Sequence, residues 1–192
     1  MTRWAFIAAL TLTACGGSPP LHYHTLKAAD EAGSSQQQAR MLVDILPITI
    51  PERLDRSEIV TVSANGAIEV HDTERWASPL PAEIRHVLVE TLWQRLAAVD
   101  VYQAALTGSA DVPHLSLSLR IERFDAMRGQ DAVMEASWTV RQLPTGRGVA
   151  CHIHLTSPLA ETDTDSAVAA LSAATQKLGG LVAASLAARG RG

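Results

Sequence analysis

Leu115-Ser116-Leu117-Ser118-Leu119-Arg120-Ile121-Glu122 alternates apolar and polar side chains at every step, and Met134-Glu135-Ala136-Ser137-Trp138-Thr139-Val140-Arg141 does so again. A period of two sends successive side chains to opposite faces of a strand, so each stretch has one face for a core and one for water. That half-buried pattern belongs to antiparallel sheets, because parallel strands covered on both faces read as continuous apolar runs. Arg128-Gly129-Gln130-Asp131 supplies a turn between the two stretches, and Pro144-Thr145-Gly146 supplies another before residues 148–155. The three segments form a meander whose apolar face must be covered.

Helices on either side supply the cover. Upstream, Ile84, Val87, Leu88, Leu92, Leu96 and Val99 follow helical spacing, behind a start at Ser78, Pro79 and Pro81 in which Ser78 serves as the cap. Downstream, Asp163-Thr164-Asp165 opens a second helix with Val168, Leu171, Thr175, Leu178, Val182 and Leu186 on one face. Gly179-Gly180 interrupts it, and a bend or fraying is expected there because Gly is disfavoured by about 1 kcal/mol in a helix interior.

Further upstream, residues 58–62 and 67–71 flank Asn65-Gly66, a pair suited to a two-residue type I′ hairpin turn. That turn sets Val60 and Val62 opposite His71 and Glu69, so the apolar faces mismatch unless a bulge or two-sided burial intervenes. Residues 41–50 read as an extended segment that Pro47 and Pro51 consign to an edge or bulge. Residues 21–26 are extended, and residues 28–40 form a polar loop. The fold expected is α+β: a single domain with a largely antiparallel sheet and two main helices packed on one face.

Apolar residues make up 47% of the 192-residue chain but aromatic residues only 4%, so the core rests on aliphatic side chains. A net charge of −4 with scattered Lys and Arg gives no basic stripe, and nucleic acid is not expected as a partner. There is no Gly-x-Ser-x-Gly elbow and no Gly-rich phosphate loop, so the chain does not read as an enzyme.

The N-terminus carries Arg3, a short apolar run over residues 4–12, and then Leu12-Thr13-Ala14-Cys15 followed by Gly16-Gly17-Ser18-Pro19-Pro20. The run is too short for a membrane-spanning helix, which needs about 20 apolar residues, and fits a secretory signal. It closely resembles the bacterial lipobox, in which the cysteine is acylated and the chain is cut just before it. Residues 1–14 are then a lipoprotein signal peptide, Cys15 carries lipid such as palmitate, 15–20 form a tether, 21–188 the folded domain and 189–192 a loose tail. No other cofactor is expected. Gly16, where lipoproteins retained at the inner membrane resemble one another in carrying Asp, implies the outer membrane, with the body facing the periplasm. Cys151 is then the one remaining thiol, and it reads as a small buried residue of a strand.

Ile48-Thr49-Ile50-Pro51, Leu54-Asp55-Arg56, Ile59-Val60 and Arg75-Trp76-Ala77-Ser78-Pro79-Leu80 leading into the first helix resemble the PqiC (YmbA) family of ABC-type transport auxiliary lipoproteins. Tyr23-His24-Thr25-Leu26 is similar to the Tyr-Tyr-x-Leu strand that opens its domain, with His24 in place of the second Tyr. The resemblance covers roughly residues 21–188. It implies an outer-membrane lipoprotein that docks the far end of an MCE-domain tube protein, working with an inner-membrane transport component to move phospholipid. A homo-oligomeric ring would match a symmetric tube. A lipid-binding carrier and an envelope-assembly accessory lipoprotein are the alternatives.

The candidate partner-binding residues are Leu54, Asp55, Arg56, Arg75, Trp76 and Trp93. Asp55, Arg56 and Arg75 form either a partner-facing patch or an internal ion pair. Trp76 is either a core plug at the helix entry or an interface anchor, since interface hot spots are enriched in Trp and Arg. Trp93 falls off the apolar stripe of its helix and is placed for contact with another subunit or a loop. His22 with His24, and His152 with His154, project in pairs from strand faces, but neither pair has Cys or a carboxylate at ligand spacing, so no metal site is expected.

Overall fold

The structure, a computed structural model, describes residues 19–29, 38–63, 65–102, 112–127 and 129–190. Cys15, the signal segment and most of the tether lie outside the described residues, as do residues 30–37 of the polar loop.

The predicted meander is the backbone of the sheet. Strands β1 (His22–His24), β2 (Met41–Ile45), β3 (Glu58–Val62), β4 (Ile68–Trp76), β5 (Ala98–Asp100), β6 (His114–Met127), β7 (Asp131–Gln142) and β8 (Gly148–Pro158) are joined by helices α1 (Leu80–Leu96), after β4, and α2 (Thr164–Gly190), at the end. The antiparallel ladders β6–β7 and β7–β8 run nearly the full length of these strands. The other edge of β6 is shared. β2 runs parallel to its start, β3 runs parallel to its end, and Thr49 bridges to Arg120 between them. β5 pairs with β2, β4 with β3, and β1 with β4 as the outermost strand of that branch. The result is a single α+β domain whose mixed sheet is mostly antiparallel.

Leu115, Leu117, Leu119 and Ile121 are at most 1% exposed, as the alternation requires. A strict period of two would next bury Arg123. Instead Glu122 is an extra residue in β6, since Ile121 opposes Ala136 and Arg123 opposes Glu135. One bulged residue reverses the facing of everything after it, so Phe124 and Ala126 enter the core. Asp125, on the other face, is enclosed by Arg53 at 2.6 Å and Arg123 at 2.9 Å.

The hairpin expectation is corrected by one residue. Ser63 pairs with Ala67, so Val60 faces Val70 and Val62 faces Ile68. The turn closes with the Gly66 N–H donating to the Ser63 carbonyl, and Gly66 adopts φ +84°, where a side chain would be strained. Asn65 Oδ1 accepts from the Ala67 N–H and the Ser63 hydroxyl. A one-residue slip flips every facing, so the longer loop removes the mismatch.

Residues 41–45 are not an edge: β2 lies between β5 and β6, because Pro47 and Pro51 fall beyond its last ladder residue. Pro79, with no side-chain cap, occupies the position before α1 where Ser78 was expected. Ala97 turns left-handed at φ 49° and ends α1, so Val99 belongs to β5 and not to the helix.

α2 runs unbroken through Gly179-Gly180, contrary to the expected interruption. A Cβ on Gly179 would stand 3.0 Å from Thr91 Oγ1, so the glycine permits close approach of α1. Helicity also extends into the tail: Arg189 Nη2 reaches the Gly148 carbonyl at 3.4 Å, and Gly190 lies against Met41. α2 is long and apolar enough to cross a membrane by composition, yet 61% of its apolar window is buried in this domain. Cys151 is half-buried, not fully buried, with its sulfur 3.9 Å from the Ser185 hydroxyl of α2.

Candidate functional site

The residue pairs Asp55-Arg56 and Arg75-Trp76, twenty positions apart, come together at one corner of the sheet. A turn of 3-10 helix at Glu52–Leu54 drives Leu54 into the core at 5% exposure. The Asp55 N–H closes that turn on the Glu52 carbonyl, leaving Asp55, Arg56 and Ser57 exposed as a short arm. The Trp76 N–H then donates to the Ser57 carbonyl at 2.8 Å, and the Ala77 N–H to the His24 carbonyl at 2.8 Å. Backbone bonds thus tie the arm on one side and β1 on the other to the end of β4.

Between them is a cleft of about 470 Å³, lined chiefly by Tyr23, Asp55, Arg56, Arg75, Trp76 and Pro79. The Trp76 ring is 6% exposed, so it plugs the core while contributing to the cleft wall. Tyr23 stands 62% exposed at the rim. Arg75 pairs with Glu58 at 3.3 Å and contacts the Ser57 hydroxyl at 3.4 Å, so its ion pair is not with Asp55. Its buried Nε–H has no acceptor among the described residues. Among the described residues the Arg56 and Asp55 side chains make no hydrogen bond or close ion pair, and Arg56 acts on Glu58 only through its charge. The carboxyl of Glu58 lies below its usual value, first because of its own backbone N–H, then through Ser57, Arg75 and Arg56, against the opposing effect of burial.

Of the six predicted partner residues, four line the cleft. Leu54 sits beneath it in the core, and Trp93 is half-buried on α1 outside its lining. Sequence reasoning missed Tyr23, Ser57 and Pro79 as wall residues and Glu58 as the partner of Arg75. No local signal marked Tyr23, because only the pairing of β1 with β4 shows that strand to be outermost.

The histidine pairs acquire carboxylates that their sequence neighbourhood did not show. His22 Nδ1 and His24 Nε2 bond the two oxygens of Glu74 at 2.9 and 2.5 Å, and His24 Nδ1 lies 3.5 Å from Asp165. His22 lies opposite Glu74 in the β1–β4 register, and β4 is irregular there, since three residues, 72–74, separate the partners of Ile59 and Glu58. His154 pairs with Glu135 at 3.1 Å, and His152 lies 3.6 Å from Glu122. Among the described residues no group of three or more such side chains is arranged to hold a metal.

The interior is filled with aliphatic side chains, and the cleft opens on the surface. Residues 24–183 match the profile of the ABC-type transport auxiliary lipoprotein component family, and the chain belongs to that family. It is 24% identical over 141 residues to the intermembrane transport lipoprotein PqiC of Escherichia coli (strain K12), covering 72% of this chain and 73% of that one, and matches the Shigella flexneri protein equally. The fold is shared with a crystal structure of an uncharacterised protein at TM-score 0.71, with 18% identity, 88% of this chain and 99% of the other covered. Protein XCC0632 from Xanthomonas campestris superposes at TM-score 0.62, with 18% identity and coverage of 85% and 92%.

Proposed function

We propose that this auxiliary lipoprotein is anchored in the outer membrane through lipid on Cys15. In this reading its periplasmic body docks an MCE-domain tube protein of a phospholipid transport system. One acyl chain holds a protein only marginally and two or more hold it stably, so a lipidated Cys15 would keep the body within tether reach of the bilayer. The observation that carries docking over lipid carriage is the distribution of groups. Leu88, Leu92, Leu115, Leu117, Leu119, Ile121 and Leu178, each at most 1% exposed, fill the space between helices and sheet, where a carrier would place acyl chains. Asp55, Arg56 and the exposed ring of Tyr23 instead line the outer cleft. Family membership supports the transport role, and the lipobox with Gly16 supports the location.

The test is palmitate labelling, membrane fractionation and crosslinked pull-down of the full chain and its Cys15→Ser variant. The wild-type protein should carry label, sediment with outer membranes and retain an MCE-domain protein; the variant should lose label and membrane. An unlabelled wild-type protein, or one found in solution, overturns the anchoring. Recovery without any MCE partner, together with a bound lipid in native mass spectrometry, favours the carrier.

A further inference from the structure

The hairpin of β3 and β4 turns one face to the helices and the other to solvent. Thr61 and His71 line a small hollow with Thr164 and Ala167 at the start of α2, so Ile59, Thr61 and His71 mark the helix side. Strand residues alternate between faces, so Val60 and Val62, with their partners Val70 and Ile68, look away from the helices. Ile68 is 53% exposed and Val70 40%. Glu58, two residues before Val60, lies on that same outer face, and its partner Arg75 stands beside Tyr23 in the β1 ladder, so the exposed Tyr23 ring shares the face. Leu21, also exposed, lies two positions before Tyr23. Four of the six large apolar side chains exposed among the described residues therefore gather on the β1–β4 branch.

We infer that this face lies on the bilayer in which the chain is anchored, with the Ile68 end of the hairpin seated among the lipid headgroups. The inference rests on the Cys15 anchor proposed above and adds to it a contact made by the folded body. The route of the chain selects a bilayer over a protein. β1 runs parallel to β4, and its register carried one step back sets Leu21 beside Thr73. The N-terminal end of β1, from which the chain leads back to Cys15, is thus the end nearer Ile68. From Leu21 to Cys15 the chain can span at most about 20 Å, and from Thr73 to Ile68 β4 spans about 17 Å. The hairpin therefore reaches about as far towards the membrane as the tether allows, and a lipidated Cys15 would hold it there. The side chains suit that depth: Ile68 and Val70 can enter the headgroup layer, and a Tyr ring is at home at its level. Asp55 and Glu58 beside Arg56 and Arg75, with the exposed Asp72 on β4, leave this face no net positive charge, so the contact is apolar and does not depend on anionic lipid.

The test uses the full chain in cell envelopes. A photocrosslinking p-benzoylphenylalanine replaces Ile68 or Val70, or replaces Leu181, an exposed apolar residue of α2, as the comparison. Adducts are identified by mass spectrometry, and fractionation locates the chain. All three side chains are exposed, so the replacements should leave the fold intact. Ile68 and Val70 should give phospholipid adducts about tenfold above Leu181, as expected when one face is held at the interface and the other in water. That yield should hold from about 0.1 M to about 1 M salt, because an apolar contact is not screened. With the chain in the membrane fraction, four results overturn the membrane face while leaving the anchor standing: adducts to an MCE-domain protein or a second copy of this chain in place of lipid, equal lipid yields at Leu181, a yield lost in high salt, or no adduct at all. A chain found in the soluble fraction overturns the anchor, and the membrane face with it.

Discussion

Two adjacent glycines in α2 should respond oppositely to the same substitution. Gly→Ala inside a helix gains about 1 kcal/mol from propensity alone. At Gly179 the new Cβ would meet Thr91 Oγ1, Cγ2 and Cβ at 3.0, 3.1 and 3.2 Å. Thr91 has no room to yield: it is 4% exposed, and its hydroxyl is held on the Val87 carbonyl at 2.7 Å. Overpacking of this kind costs about 1–3 kcal/mol, so Gly179→Ala should be destabilising by about 1 kcal/mol net. At Gly180 the nearest atoms are Arg95 Nη1 and Cζ at 3.3 and 3.4 Å, the far end of a flexible exposed side chain. It can swing away, and Gly180→Ala should be stabilising by up to about 1 kcal/mol. For a domain of this size each kcal/mol moves Tm by about 2–4 °C, so thermal and urea denaturation resolve the difference. Thr91→Ala removes two of the three close atoms and should recover about 1 kcal/mol in the Gly179→Ala background, read as a double-mutant cycle. Equal stabilisation by both glycine substitutions would refute the argument that contact with α1 explains Gly179.

Other outcomes follow from burial and charge. Glu74 is held below the ordinary value near 4.5, first by the His24 hydrogen bond and then by His22, against the opposing effect of burial. A lowered folded value contributes stability above the unfolded pKa that is lost as pH falls through the folded one, so wild type should weaken more steeply than Glu74→Gln in urea titrations from pH 6 to 3. Leu88→Ala, at a side chain with no exposure, should cost about 3 kcal/mol in urea denaturation, whereas Tyr23→Ala at the exposed rim should stay within about 0.5 kcal/mol.

Where a pattern was local, the sequence was legible. β6, β7 and α1 were readable because alternation and helical spacing are properties of neighbouring residues. β5 was not, because Val99 continues the spacing of α1 and only the left-handed Ala97 shows where the helix stops. The hairpin register was hidden because Asn65-Gly66 suits both a two-residue loop and the longer one observed. At the candidate site, Asp55, Arg56, Arg75 and Trp76 stood out as residue types, but their meeting depends on the 3-10 turn at Leu54 and the irregularity in β4. Tyr23 became part of the site only once β1 was seen to be an edge.

By itself the sequence determined the α+β class, the apolar faces of the main strands and helices, and the family to which the chain belongs. Tertiary structure decided the bulge at Glu122, the pairing of Glu58 with Arg75, the clasp of two histidines on Glu74 and the unbroken course of α2. The physical reason is distance along the chain. Periodicity is written within a few residues, but Gly179 acquires its meaning from Thr91, and Glu74 from His22 and His24, residues that only folding brings into contact.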